Sequence, residues 1–485
     1  MHRQRLVASI SLSALAVLLA AAPVTAAPPS PISKPPLQQL SSDPYKVPVK
    51  AQYATEVEPD SFSFGSTVVT AFQVGRYIDG GAVNIGWATT TDGGALSWTN
   101  GLLPGITVAA GGPADRASDP SVAYDAAHDV WLISVLAITF GNEALVTSRS
   151  TDGGLTWQDP VPVLQGATLD KNWIVCDNTA SSSFYGHCYT EFDRAGGFNR
   201  AYMATSTDGA LSWAPAVKID YAGQPIVAIG GQPIVQPDGT VIVPIVDALQ
   251  PALVSFRSTD GGVSWSVPTL LADLRVSVTN ALRAPPFPSV DVDASGRVYV
   301  VWSDCRFRRD CRSNDLVLST SEDGLAWTDP VRIPLDPVTT RADHFLPGLA
   351  VQPGTSGGDA HLALTYYFYA DASCSTGSCQ LSVAFVDSPD GGQSWTRLRL
   401  LAGPMKLRDL AFAGGYFVGD YISTSYAGAG AFGFFAVGKP RPGPIYDEAI
   451  YTTRRPLFPS SGPLAPVESG PVVASSSERL DIPTW

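Results

Sequence analysis

One short phrase recurs six times along the chain and limits the possible fold more than any other feature. It reads TTDGGALSW ending at Trp98, STDGGLTW at Trp157, STDGALSW at Trp213, STDGGVSW at Trp265, SEDGLAW at Trp327 and SPDGGQSW at Trp395. Its aspartates are Asp92, Asp152, Asp208, Asp260, Asp323 and Asp390, with steps of 60, 56, 52, 63 and 67 residues. Steps of that size mark one supersecondary unit, repeated. Inside the phrase, Asp and a Ser or Thr hydroxyl bond the turn's own amides, Gly takes backbone angles that side chains forbid, and Trp packs between sheets. The same preamble leads to each phrase, clearest in SVAYDAAHDVWLISVLA (Ser121 to Ala137) and SVDVDASGRVYVVW (Ser289 to Trp302). Two apolar strands joined by a turn precede a third strand that runs into the phrase, and a fourth begins near its Trp. A further preamble, GYFVGDYISTSYAGAGAFGFFAV (Gly415 to Val437) followed by EAIYTTR (Glu448 to Arg454), carries no phrase.

These phrases resemble the Asp box, S-x-D-x-G-x-x-W, of the sialidase (neuraminidase) superfamily, with one extra residue in the first copy and one fewer in the fifth. The resemblance reaches from about Phe62 to Arg454, nearly all of the chain after its leader. It implies an all-β fold, a single β-propeller of four-stranded blades. Counting preambles favours seven blades, with the six of sialidases themselves as the alternative. A propeller closes its ring to remove exposed strand edges, usually by pairing strands from opposite ends of the chain, and Tyr45 to Glu56 is the segment expected to supply the closing strand. The expected organisation is a signal peptide over 1–26, a Pro-rich disordered linker over 27–44, the propeller with its six Asp boxes over 45–455, and a flexible tail over 456–485.

The opening MHRQRLVASISLSALAVLLAAAPVTA has basic residues at Arg3 and Arg5, an apolar run, and small residues at Val24, Thr25 and Ala26. That is the pattern of a secretory leader, and its apolar run is short for a membrane span. A secreted protein, extracellular or periplasmic, is therefore expected. With 31 Lys and Arg against 44 Asp and Glu the net charge is −13, which argues against nucleic acid or an anionic membrane as partner. A closed ring leaves few edges to share, so a monomer is expected. The six cysteines fall in close pairs, Cys176 with Cys188, Cys305 with Cys311 and Cys374 with Cys379, which in an exported chain reads as three local disulfides. A zinc site is the rival reading, and no histidine stands at ligand spacing beside Cys305 or Cys374. No cofactor or metal is expected.

Asp boxes join third and fourth strands, so function is expected at the opposite end, where the chain enters each first strand and leaves each second. The sialidase resemblance implies three arginines clamping a substrate carboxylate, a tyrosine nucleophile paired with a glutamate, and an aspartate as acid and base. A compatible order runs Arg76, Asp119, Glu191, Arg283, Arg341, Tyr366. It nominates Tyr366, Glu191 and Asp119 as catalytic, and Arg76, Arg283 and Arg341 as substrate-binding. Arg306 joins them from WSDCRFRRDCRSND (Trp302 to Asp315), which packs four arginines around a cysteine pair. The Arg-Ile-Pro phrase that sialidases carry on the first blade stands here only at Arg332-Ile333-Pro334, after the fifth box. DVDASG (Asp291 to Gly296) fits a hairpin turn and lacks the distant Glu of a calcium loop. TYYFYADASC (Thr365 to Cys374) offers aromatics on which sugar rings stack, with Tyr366 and Tyr367 on opposite faces of a strand.

Three functions are expected from these residues. The first is a secreted glycoside hydrolase, most concretely an exo-α-sialidase acting through a tyrosyl intermediate on a glycan or glycoconjugate. The second is a non-catalytic propeller that binds glycan or protein on the same face. The third is a hydrolase of neutral glycans with paired carboxylates, Asp119 with Asp304 or Asp343.

Overall fold

A computed structural model describes residues 34–46, 50–94, 97–195, 199–221, 223–441, 443–459 and 465–466. The chain divides into two compact units, and all of the described residues belong to the second, Lys34–Trp485. The expected leader and most of the expected tail lie outside the described residues.

The described chain is all-β, with short 3-10 turns, in antiparallel sheets built by one recipe. Arg116–Asp125, Val130–Ile138, Glu143–Ser150 and Val161–Ala167 pair in that order. Glu56–Phe64, Thr67–Arg76, Ala82–Thr90 and Thr99–Leu102 form the preceding set, joined to it through the single pair Ala82 and Ala117. Further sets begin at Leu169–Cys176, at the interrupted strand Ala228–Ile229 and Ile234–Val235, at Ser289–Val292 and at Asp343–Val351. In the last sheet, Ser423–Ala427, Gly430–Gly438 and Glu448–Thr453 are completed by Leu37–Gln39 from the other end of the chain. The closing strand is thus Leu37–Gln39, not the 45–56 segment expected, and part of the expected disordered linker is ordered strand.

The first strands touch in cyclic order, and the strand at Ser423 touches the one at Glu56. This is the arrangement of a β-propeller. Side chains stitch the circuit, giving backbone N–H groups on the open edges of five first strands a partner. Val122 donates its N–H to Asp60 at 2.7 Å, Ile174 to Ser121 at 2.9 Å, Val290 to Gln232 at 2.9 Å and Leu349 to Ser289 at 2.8 Å. Ser61 donates to Ser423 at 3.1 Å, which closes the ring.

The boxes behave as their chemistry dictates. Asp152 accepts the N–H groups of Leu155 and Thr156 at 3.0 and 2.9 Å, while Gly154 donates to Ser150 Oγ at 2.9 Å. The Trp then reaches the preceding sheet: Trp157 meets Trp87 at 6.4 Å between ring centroids, and Trp98 stands edge-on to Phe432 and Phe434 at 5.8 Å. All three expected cysteine pairs are disulfide-bonded. Among the described residues, no helix is long and apolar enough to cross a membrane.

Candidate functional site at the bulged ends of the first strands

Four first strands carry a bulge near their start, and in each the extra residue is left-handed. Glu58 (φ 61°), Asp119 (φ 51°), Lys171 (φ 46°) and Leu346 (φ 51°) lie in the register breaks 57/60, 118/121, 170/172 and 345/348. Each non-glycine residue so held costs roughly 1–3 kcal/mol, and such strain is concentrated at functional sites. Proline follows three of them, at Pro59, Pro120 and Pro347, although a following proline ordinarily pushes a residue toward extended backbone. Glycine serves the same turn elsewhere: Gly230 (φ 74°) interrupts its strand, and Gly419 (φ 126°) lies so close to Glu58 that a Cβ would stand 2.7 Å from the Glu58 Cα.

The bulges gather charge where the first strands begin. Asp119 Oδ1 is 3.7 Å from Lys171 Nζ, whose ammonium lies 3.7 Å from the centroid of the Tyr421 ring and 4.8 Å from that of Trp173. Lys171 is buried, and its Nζ has no hydrogen-bond partner among the described residues. Arg283 grips Asp420 with two hydrogen bonds, one from Nε to Oδ1 at 2.7 Å. Arg76 donates to Gln73 Oε1 at 2.7 Å, and Gln73 in turn donates to Glu58. Both arginines lie against the ring of Phe417, at 4.8 and 5.0 Å. Burial, then the like charges of Asp119 and Asp420, push Glu58 up to about 8. Burial and the neighbouring Asp119 push the half-buried Asp170 up to about 7, against the pull of Arg283. The set thus mixes carboxyl groups that keep their protons near neutral pH with cations that favour an anion. A cleft beside it is lined by Lys171, Trp173, Gly230, Phe287, Leu346, Asp420 and Tyr421.

Of the residues nominated from sequence, Arg76, Asp119 and Arg283 come together here, and Glu191 lies behind Lys171. The others stand apart. Tyr366 is fully buried in the core between the sheets beginning at Ser289 and Asp343, its ring against His344 and Phe368, where no substrate reaches it. Tyr367, on the opposite face, donates its hydroxyl to Ala436 O at 2.8 Å, so neither tyrosine offers a stacking surface. Arg306 is held by Asp304 at 2.9 and 2.7 Å, and Arg341 is exposed beside Asp371 at 3.5 Å. Asp304 is therefore bound up with Arg306, and Asp343 accepts from Asn314 at 2.7 and 2.9 Å; neither pairs with Asp119. DVDASG is a turn, in which Asp293 accepts the N–H groups of Ser295 and Arg297.

Glu58, Asp420 and Tyr421 were not nominated from sequence. Their signal was a residue preceding proline, or following glycine, at the mouth of a first strand: Glu58-Pro59, Asp119-Pro120, Gly419-Asp420. Tyr421 donates to Pro120 O at 2.9 Å, and burial, reinforced by Glu58 and Asp119, holds its hydroxyl far above the usual range.

Asp315, Asp336 and His344 also gather within metal-binding reach of one another. Arg308 and Arg332 already hold both aspartates, at 2.5 to 2.9 Å, and burial followed by these two cations drives His344 down to about 3. A cation would meet two guanidinium groups there, so the residues do not fit a metal site.

No family model matches the chain, and no curated protein matches it. Solved structures similar to it include the Hadza microbial sialidase Hz136, at 14% identity and a TM-score of 0.43 over 83% of this chain and 66% of that one. An ulvan lyase of polysaccharide lyase family PL25, bound to -[GlcA(1-4)Rha3S]-, matches at 10% identity and 0.49 over 83% and 94%. The sialidase of Trypanosoma rangeli in complex with sialic acid matches at 11% and 0.43 over 86% and 58%. The chain spans less than two thirds of the length of these two sialidases.

Proposed function

We propose that this protein is a secreted glycoside hydrolase, seven-bladed, whose reaction is run by carboxyl groups at the bulged ends of its first strands. The count of seven rests on the circuit of first strands that start at Glu56, Arg116, Leu169, Ala228, Ser289, Asp343 and Ser423. One observation carries the functional reading: Asp119 and Asp170 stand together, with Lys171 and Arg76 beside Asp119 and Arg283 beside Asp170. Asp170, raised to about 7, serves as proton donor to the leaving oxygen, and Asp119, held by Lys171, serves as the partner carboxylate. Such a division of labour between two carboxyls is what glycosidic cleavage requires. Trp173 offers an apolar wall for a sugar ring, and the three cations favour a sugar that carries a carboxylate, with terminal sialic acid the concrete candidate. A tyrosyl nucleophile is the weaker route, since Tyr421 is the tyrosine nearest the acids and its hydroxyl is turned to a backbone carbonyl.

The test is turnover of fluorogenic sialosides, uronosides and neutral glycosides by the purified protein. Turnover should be greatest on an acidic sugar and should fall about 10²- to 10⁴-fold in Asp119→Asn and in Asp170→Asn. Release of no sugar from any of these glycosides, with binding intact on a glycan array, would replace this reading by that of a non-catalytic glycan binder. The grip of Asp420 on Arg283 favours that second reading, because the guanidinium is already engaged.

A further inference from the structure

Lys171 is a cation with unspent donors in the wall of a cleft. It is the extra, left-handed residue (φ 46°) of its bulge, and bulges re-aim side chains out of the strand's alternation. Its side chain is 4% exposed, yet its ammonium has no hydrogen-bond partner among the described residues. Asp119 Oδ1, at 3.7 Å, is beyond hydrogen-bond reach, and Tyr421 and Trp173 offer only their ring faces. An ammonium carries three donors, and leaving them unmade in a buried setting is costly. The two rings line the same cleft as Lys171, with Gly230, Phe287 and Leu346, and its interior has about 10 Å³ of room, enough for one water-sized atom. Among the described residues its wall includes neither of the other two cations, which are engaged elsewhere: Arg283 grips Asp420, and Arg76 donates to Gln73 and lies on Phe417.

The acids around the ammonium come from four strands and the loop before a fifth. Glu58 and Asp60 face it from the strand at Glu56, Asp119 from the strand at Arg116 and Glu191 from the strand at Cys188. Asp170 precedes it on its own strand, and Asp420 lies beside Tyr421, whose hydroxyl keeps its proton. Burial first of all raises Glu58 and Glu191 to about 8 and Asp60 and Asp170 to about 7, so at pH 6 these four are largely protonated. Three cations, Lys171, Arg76 and Arg283, then face two carboxylates, Asp119 and Asp420, and the site is one negative charge short. We propose that Lys171 is the specificity-determining residue here: its ammonium takes one oxygen of a singly charged acid group, carboxylate or sulfate ester, on a sugar whose ring stays at the mouth of the cleft. That the ligand is a sugar rests on the reading above; that it is an oxyanion does not.

Isothermal titration of the full-length protein with glucuronate, N-acetylneuraminate, glucose 6-sulfate and glucose, at pH 6, is the test. At least one of the acids should bind about tenfold or more tightly than glucose. Lys171→Met should weaken that binding about 10- to 100-fold, as loss of a hydrogen bond to a charged group does. Lys171→Gln repeats the measurement where the Met variant does not fold, and Lys218→Met, at an exposed lysine on the outer strand Val217–Lys218, should change nothing. In the unaltered protein, raising the pH to 8.5 ionises the four raised acids around the ammonium, so the affinity should fall about tenfold or more. Acids that bind no better than glucose, or an affinity indifferent both to pH and to Lys171 in folded variants, overturn the proposal. Tighter binding of glucuronate or N-acetylneuraminate than of glucose 6-sulfate identifies a carboxylate, and the reverse order a sulfate ester. Binding that depends on Lys171 in a protein that hydrolyses no glycoside keeps this anchor and discards the catalytic reading. Hydrolysis with no preference for acidic sugars discards the anchor and leaves the glycosidase.

Discussion

Arg283 is half-buried against Phe417, and a guanidinium in that setting needs a carboxylate with matched geometry, which the buried Asp420 provides. Replacing Asp420 with Ala deprives the cation of that grip and should cost about 3–5 kcal/mol in urea unfolding. A double replacement, Asp420→Ala with Arg283→Met, should recover most of the loss; equal instability of single and double variants would show that the pair does not act as a unit. Single residues were also where the sequence spoke least clearly. That Arg76, Asp119 and Arg283 come together was legible because the repeat assigns strand ends to one end of the propeller. Tyr366 was misread for a physical reason: alternation says which side of a strand a tyrosine takes, but both sides of a blade pack against neighbouring blades. Arg306, expected to bind substrate, is instead held by Asp304, and its neighbour Arg308 by Asp315 and Asp336.

At the scale of the element, the Asp boxes were fully legible because each is a local device whose partners lie within a few residues. Removing one acceptor should be correspondingly local. Asp152→Ala should lower stability by about 1–2 kcal/mol while leaving the proposed glycosidase turnover per folded molecule unchanged, since the box lies at the end of the blade away from the bulges. Loss of turnover at unchanged folded fraction would show that box and site are coupled. The closing strand was not legible, and its composition explains why. Leu37-Gln38-Gln39 has one apolar residue and no alternation to betray a strand; only the unpaired edge of Glu448–Thr453 calls for it. Deleting 34–42 should therefore expose that edge, lowering the melting temperature and promoting association detectable by light scattering. The bulges were not legible: three of the four left-handed residues precede a proline, which contradicts local preference, and the ring imposes them.

Among the described residues many acids are buried, and this sets how stability responds to pH. Glu56 and Glu58 are raised to about 8 and Asp60 and Asp343 to about 7, each first of all by burial. The unfolded chain loses these protons near pH 4, so their stabilising contribution is complete below that pH and is lost as the pH rises through 7 to 8. The box aspartates Asp152, Asp208 and Asp260 act in the other direction: burial opposes ionisation, but the hydroxyl and amide donors outweigh it and hold them below their ordinary value. Their contribution is present above about pH 4 and is lost on further acidification. Denaturant midpoints should therefore peak between about pH 4 and 5 and decline toward pH 8; a midpoint that rises over that interval would contradict the assignment. Finally, the last sheet borrows its outer strand from residues made some 400 positions earlier, so Leu37–Gln39 cannot take its native partner until Glu448–Thr453 exists. A chain emerging from a ribosome cannot lock its circuit early, because the edge that receives this segment does not exist until the final sheet has been made.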